Sequence, residues 1–305
     1  MKKYSLIALS ILLMACSSSK QYYEPKNTQE LKQIKVKDDS LLSKFKNYEI
    51  INKKDEVVFI SNNLGFLKGL KDNEIIYDEK FPAKIVSIDI NNDKAIMVDA
   101  LNNVIIYDLS AKKYLFSQNY GQANGIIKKL ANPQFNGKFI IVPTLDGKLL
   151  IFNNDNNTFF KSINVGTQDF FNNIIFFDTN KDSLVAASSS KIFTIVDNKS
   201  YIKILNIKKV FTNKNDIYVL ANDGRIIKYD YLLKEKISTK FKYANFNAVH
   251  FYNSNLYALE FGGYLIKLDE NLKELAVYDL NGKVKKGAYF KDNILFYNNK
   301  SYELQ

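Results

Sequence analysis

Ile217-Tyr-Val-Leu-Ala-Asn-Asp-Gly-Arg-Ile-Ile-Lys-Tyr-Asp230 decides the fold. Five residues of β-prone character reach a turn of Asn, Asp and Gly, a second apolar run follows, and an Asp ends it. Asn-Asp-Gly supplies the positive φ that a tight hairpin needs, and alternating β-branched and aromatic residues fit a pleated strand. The same unit recurs in Ala95–Asp108, Phe139–Asn153 and Leu256–Asp269, with weaker copies in Val57–Lys68, Leu184–Val196 and Ile294–Leu304. The turns fall near Asn63, Asn103, Gly147, Ser190, Gly224, Gly263 and Asn299, at intervals of 40, 44, 43, 34, 39 and 36 residues.

A period near 40 residues with several short strands per repeat marks the blades of a propeller. A lone hairpin is barely stable, so the sheets must stack to bury their faces. The expectation is an all-β chain: a β-propeller of seven blades, each of four antiparallel strands, over residues 45–305. Six or eight blades stay open because the first and last copies are degenerate. The last copy stops about one strand short, and a strand near Tyr48–Ile51 is expected to complete it and close the ring, leaving no exposed edge.

Upstream of the repeats, Lys2 and Lys3 precede an apolar run, Leu6 to Leu13, which ends at Leu13-Met14-Ala15-Cys16. A basic start and a short apolar run make a secretory signal, and the run is too short for a spanning helix, which needs ~20 residues. Leu13, Met14, Ala15 and Cys16 resemble a bacterial lipobox. That resemblance implies removal of residues 1–15 and acylation of Cys16, the single cysteine. Residues 16–44, polar and with little periodicity, read as a tether whose 27 residues after the anchor reach ~90 Å at ~3.3 Å each. The stretch Thr28 to Lys37 is left open as a short strand or helix.

Composition narrows the function. Without residues 1–15 the chain carries 41 basic and 32 acidic side chains, a net charge of about +9. Arg225 is the one arginine. Nucleic-acid readers lean on arginine and clustered charge, whereas these lysines are scattered among Asp, Glu and Asn, so no nucleic-acid partner is expected. A weak attraction to anionic lipid or acidic partners follows from the net charge. With Cys16 spent on the anchor, the folded part has neither disulfide nor thiolate chemistry.

Catalytic and metal-binding patterns are sparse. His250 is the one histidine, and its setting in Asn247–Tyr252 alternates like a strand, which favours a hydrogen-bonded structural role over a triad. Asp89, Asn91, Asn92 and Asp93 form the densest oxygen cluster, where turn chemistry outweighs calcium binding. Asp108, Asp230 and Asp269 recur at equivalent strand ends, so each is expected to serve its own turn. Gly262-Gly263 is a hairpin turn and no phosphate loop. A quinone would need tryptophan to stack on, and the chain has none. No cofactor, no metal and no enzymatic activity are expected. Adjacent aromatic pairs are Tyr22-Tyr23, Phe159-Phe160, Phe170-Phe171 and Phe176-Phe177; neighbours in a strand face opposite sides, so each pair has one member exposed or packed between blades. The connection Asn164–Asn173, with Gly166, Phe170 and Phe171, is the candidate partner-docking loop.

A lipobox followed by degenerate repeats over almost the whole chain resembles the propeller lipoproteins of Gram-negative bacteria, the BamB-like, quinoprotein-like (WD40-like) family. The eight blades and tryptophan-bearing motifs of that family are not matched here. The resemblance implies a monomeric scaffold, lipid-anchored to the outer membrane and facing the periplasm, that binds outer-membrane or periplasmic proteins during membrane assembly. Ser17 after the anchor agrees with outer-membrane sorting in enteric lipoproteins. Two alternatives stand beside it: an accessory factor for a periplasmic redox enzyme, similar to NapL-type factors linked to nitrate reductase, and an enzyme acting on carbohydrate through the channel.

Overall fold

The second and third strands of each repeat are apolar on both faces, and only a neighbouring sheet on each side can cover them. In a computed structural model, which describes residues 21–35, 45, 47–72, 74–121, 129–167, 172–180, 183–285, 288–298 and 300–305, seven four-stranded antiparallel sheets form the blades of one propeller. Blade 1 spans Glu49–Lys54, Val57–Ser61, Phe66–Lys71 and Glu74–Lys80. Blades 2 to 6 repeat that plan over 85–119, 134–164, 176–204, 207–240 and 246–279. First strands of neighbouring blades touch, which places them around the axis. Burial follows the radius: Asp216–Ala221, a second strand, is buried along nearly all its length, while the outer strand Glu235–Lys240 alternates exposed and half-buried. Five buried clusters straddle the blade interfaces, such as Phe59, Met97 and Tyr107 between blades 1 and 2 or Tyr257, Tyr278 and Leu295 between blades 6 and 7.

One hydrogen bond proves the repeats equivalent. The first residue after each outer strand gives its N–H to the carbonyl of the turn between the second and third strands: Phe81 to Gly65, Tyr120 to Asn102, Val165 to Gly147, Leu205 to Ser190, Phe241 to Gly224 and Leu280 to Gly263, all at 2.9–3.1 Å. These turn positions match the sequence reading at Gly147, Ser190, Gly224 and Gly263 and displace it slightly at Asn63 and Asn103. Gly224 adopts φ +83°, and a Cβ there would lie 2.1 Å from the Phe241 carbonyl oxygen, so turn and neighbour exclude every side chain.

Closure differs from expectation. Blade 7 takes Ala288–Lys291, Ile294–Tyr297 and Lys300–Glu303 from the C-terminus and its outer strand, Gln33–Ile34, from near the N-terminus. Gln33 pairs with Tyr302 and Ile34 with Ser301, and Glu303 donates its N–H to the Lys32 carbonyl at 3.0 Å. Tyr48–Ile51 does not close the ring. It opens the first strand of blade 1, because the two-residue turn Asp55-Glu56 commits it to Val57–Ser61.

The tether reading of 16–44 changes accordingly. Tyr23 is buried with its ring edge-on to Phe241 and Tyr264, at 5.9 and 5.8 Å. Gln29 exchanges backbone hydrogen bonds with Val277 and Asp279 on the outer strand of blade 6, and Leu31 is buried against the seam of blades 6 and 7. Leu13, Met14, Ala15 and Cys16 lie outside the described residues. Truncating Leu31 to Ala should therefore cost about 2–5 kcal/mol, the usual range for a buried leucine, and lower the denaturant midpoint accordingly. Ile204→Ala, at a side chain 77% exposed, should change stability by less than about 0.5 kcal/mol.

Candidate interaction surfaces

The first strands, which ring the axis, and the segments leading into them carry polar groups that are engaged from blade to blade. Asn52 of blade 1 gives its amide to the Ile88 carbonyl of blade 2 at 2.8 Å and accepts from Asn132 at 2.7 Å. Ser87 donates to the Ala131 carbonyl at 2.7 Å. Asp89, buried, takes Lys54 at 2.7 Å and the Phe135 N–H at 3.2 Å. Farther round, Asp178 accepts from Thr212 at 2.6 Å. His250 gives Nε2–H to the Asp292 carbonyl at 2.8 Å and stacks on Phe290, which is a structural use of the one histidine. Groups bonded in this way act as rivets between blades.

Strand-end carboxylates bind their own turns. Asp108 caps Ala111 N–H at 2.8 Å, Asp230 caps Leu232 and Lys234, and Asp269 caps Asn271 and Lys273. The oxygen-rich stretch divides: Asp89 faces Lys54, while Asn91, Asn92 and Asp93 line a shallow solvent-open cleft with Lys94 and Asp108. Among the described residues no three His, Cys, Asp or Glu side chains group as metal ligands would.

Two faces bound the disc. The upper face carries the turns between second and third strands and the connections between blades; the lower face carries the remaining hairpin turns. The candidate docking connection lies on the upper face, between blades 3 and 4. Its base is tied by Asn172, whose Oδ1 accepts the Thr167 N–H at 2.6 Å and whose amide reaches the Asp146 carbonyl at 3.2 Å. Gly166 packs so tightly on Asn172 that a Cβ would stand 2.1 Å from its Oδ1. Phe170 and Phe171 lie outside the described residues. In the next upper turn but two, Glu260 is buried and holds the N–H groups of Gly262 and Asn245. Burial raises its carboxyl above the usual range, against the lowering effect of those N–H donors.

An exposed aromatic group stands on the lower rim of blade 3. Phe139, Phe159 and Phe160 are 42%, 47% and 61% exposed, and the Phe139 and Phe160 rings lie 5.8 Å apart. Strand alternation should hide one of two adjacent phenylalanines. Here the register shifts between Ile151 and Phe152, so Phe152 opposes Phe159 and Phe160 is the extra residue. A bulge re-aims its residue, and Phe160 turns outward. The same shift at equivalent places leaves Ile76 and Leu275 exposed. By contrast, the other pairs split as alternation requires: Tyr22 is exposed and Tyr23 buried, Phe177 buried and Phe176 half-buried.

On the upper face at blades 5 and 6, a cleft of about 520 Å³ is lined by Lys208, Lys240, Lys242, Asn222, Asn245, Asp223 and Tyr243. Lys242 lies over the Tyr243 ring at 4.8 Å, and Lys283 over Tyr22 at 4.6 Å. Arg225 pairs with Asp223 at 2.8 Å.

Seven four-stranded blades closed into a ring define a β-propeller. The comparisons agree on that class. BamB from Moraxella catarrhalis superposes with a TM-score of 0.70 at 13% identity, covering 84% of each chain. The computationally designed Ika8 protein gives 0.66 at 14% identity over 84% of each, and the WD40 repeats of RRP9 give 0.58 at 10% identity over 85% of this chain and 98% of that one. Similarity at this identity is similarity of fold. No family model matches the chain. By sequence it is similar to the plasminogen-binding protein PgbB of Helicobacter pylori: 28% identical over 225 residues in strain J99, covering 70% of this chain and 42% of that protein, and 27% over 286 residues in strain 26695, covering 89% and 52%. The chain spans about half the length of the curated relatives it matches.

Two outcomes follow from this geometry. Asn172→Ala should open the base of the connection and speed limited proteolysis between residues 164 and 173 severalfold, with the global melting point shifted by only a few degrees. Glu260 should titrate above the ordinary glutamate value of ~4.3. Because its folded pKa is raised, the protonated form favours the fold, so stability falls as pH rises from the unfolded value through the folded one. Glu260→Gln should remove that slope from a stability-versus-pH series.

Proposed function

We propose that this chain is a non-catalytic, protein-binding propeller held at the outer membrane by an acylated Cys16, and that it docks its partner along the aromatic rim of blade 3. The observation that carries the reading is the Phe139, Phe159 and Phe160 group. Aromatic anchors of this kind dominate binding energy in protein interfaces, and a bulge that exposes a phenylalanine costs stability unless something covers it. The riveted channel leaves little for chemistry, which favours binding over catalysis. The name of the Helicobacter pylori relatives supports a protein ligand, and the BamB-like fold supports a scaffold at the envelope. The connection holding Gly166, Phe170 and Phe171 supplies a second contact on the upper side of the same part of the ring. Ser17 after the anchor supports outer-membrane sorting, with the disc facing the periplasm and its partner an outer-membrane or periplasmic protein in assembly.

The test is in-cell crosslinking and recovery through a C-terminal tag. Wild type should recover an outer-membrane barrel or its assembly factors. Phe160→Glu should lower that recovery at least about fivefold, the effect of losing one interface hot spot, at unchanged melting temperature. Cys16→Ala should abolish both acylation, read by the mass of the N-terminal peptide, and membrane fractionation. Protease shaving of intact cells separates a periplasmic disc from a surface-displayed one; recovery of plasminogen by surface-exposed protein would replace the assembly role with capture of an external protein.

A further inference from the structure

The packed Tyr23 shortens the reach of the anchor. From Cys16 to Tyr23 there are seven residue steps, at most ~25 Å of chain at ~3.5 Å each, where a free tether would reach ~90 Å. Tyr23 sits on the upper face, wedged between Phe241 after the outer strand of blade 5 and Tyr264 at the start of a blade 6 strand. A six-residue strand is ~20 Å tall. To lay the lower face on the bilayer, the seven residues would have to spend nearly their whole length running down the side of the disc. The upper rim at blades 5 and 6 is the part that the anchor brings to the membrane.

That rim has the matching chemistry. Lys208, Lys240 and Lys242 converge on the 520 Å³ cleft with the side chains of Asn222, Asn245 and Tyr243, and Lys283 and Lys285 stand exposed in the next connection. The nearby acids are few. Asp223 is shared by Arg225 at 2.8 Å and Lys240 at 3.8 Å, Glu260 is buried on its own turn, Asp279 caps Asn281, and Glu24, beside Tyr23, and Glu274, whose charge acts on Tyr23, are exposed. Among the described residues Lys208, Lys242, Lys283 and Lys285 make no ion pair. Tyr22, Tyr243 and Phe261 are exposed on the same rim, and aromatic rings with a polar tip suit the headgroup level of a bilayer. We infer that the upper rim of blades 5 and 6 docks on anionic lipid headgroups of the anchoring membrane, with the three-lysine cleft receiving a phosphate. The inference rests on the anchored reading above. Lipid is favoured over a protein occupant because this rim is the part nearest the start of the short chain from Cys16 and so the part brought to the bilayer with chain to spare, where basic residues gain from anionic headgroups.

The absence of tryptophan in the natural sequence gives a clean reporter. The chain from Cys16 onward, coupled through that thiol to maleimide lipid, is held on vesicles whether or not cells acylate it, so failure of native acylation and failure of docking are read separately. Tyr243→Trp and, as the distant control, Phe160→Trp report proximity to headgroup-spin-labelled lipid. On phosphatidylcholine vesicles containing phosphatidylglycerol, the Tyr243→Trp reporter should be quenched at least twice as strongly as on phosphatidylcholine alone. The Phe160→Trp reporter should be quenched equally weakly on both. Raising salt from about 0.1 to 0.5 M, which cuts the screening length by roughly half, should reverse the gain, and so should Lys208→Gln, Lys240→Gln and Lys242→Gln together. Equal quenching of the two reporters, indifference to phosphatidylglycerol, or survival of the gain in the triple variant would each overturn the inference. A photocrosslinker at Lys242 that captures a protein in cells, with the vesicle reporter unquenched, would give the rim to a protein and likewise overturn it.

Discussion

No blade of this protein can exist alone, because each sheet presents two apolar faces and only neighbouring sheets can cover both. Everything else depends on that mutual burial. It requires the ring to close, since an open ring leaves two blades with a bare face, and the closing strand is only two residues long. Gln33–Ile34 gains little from its own pairing to Tyr302 and Ser301. Its strength comes from Leu31, packed against the buried seam of blades 6 and 7, and from Tyr23 and Gln29, which bind the same segment to blades 5 and 6. A short ladder with hydrophobic pegs on one side is how a weak strand secures a strong ring.

The axis poses the opposite problem. Inner strands of neighbouring blades converge there, and an apolar lining would expose itself to the channel. The sequence answers with Asn52, Ser87, Asp89, Asn132, Asp178 and Thr212, each bonded across a blade boundary. Between blades 5 and 7 the rivets become aromatic: Phe211 stacks on Tyr218, Phe251 meets both edge-on, and His250 lies flat on Phe290. Asp89 and Asp178 are what a search for channel acids would find first. Their hydrogen bonds assign them to holding blades together.

Legibility tracked periodicity. Seven repeats, the four-strand plan and the turn glycines are visible because a hairpin needs positive φ at a fixed place and an apolar run on each side; the turn at Gly224 is read to the residue. Asp108, Asp230 and Asp269 are equally legible as turn caps, because recurrence at equivalent places in three blades is the mark of a local role. Gln33–Ile34 falls in the Thr28–Lys37 stretch left open as a strand or helix; its closing role escaped because two residues among lysines and glutamines have no period, and the strand at Tyr48–Ile51 offered a stronger pattern for the same job. The Tyr22-Tyr23 pair and Leu31, large apolar groups in a polar stretch, were the signal that part of the tether was packed. Phe160 was illegible for a different reason. Alternation allows one of the Phe159-Phe160 pair to be exposed, not both, and the bulge that exposes both is set by how the outer strand meets its neighbour, which no short window of residues encodes.

Placement of the two decorated rims makes physical sense together. Blade 3 lies two to three blades round the seven-blade ring from blades 5 and 6, so the aromatic group at Phe139 and Phe160 stands well away from Tyr23, where the chain leaves toward Cys16. It also faces the lower side, while Tyr23 and the lysine cleft face the upper. With Cys16 acylated and blade 3 binding the partner, as proposed, a short chain at one part of the ring and a binding edge well round from it would keep the partner site clear of the bilayer without a long tether. A rigid disc transmits that separation at no entropic cost, whereas a flexible tether would have to be ordered each time a partner bound. Packing residues 21–35 onto the blades closes the ring, and under the proposed anchoring the same contacts would also fix which way the ring faces.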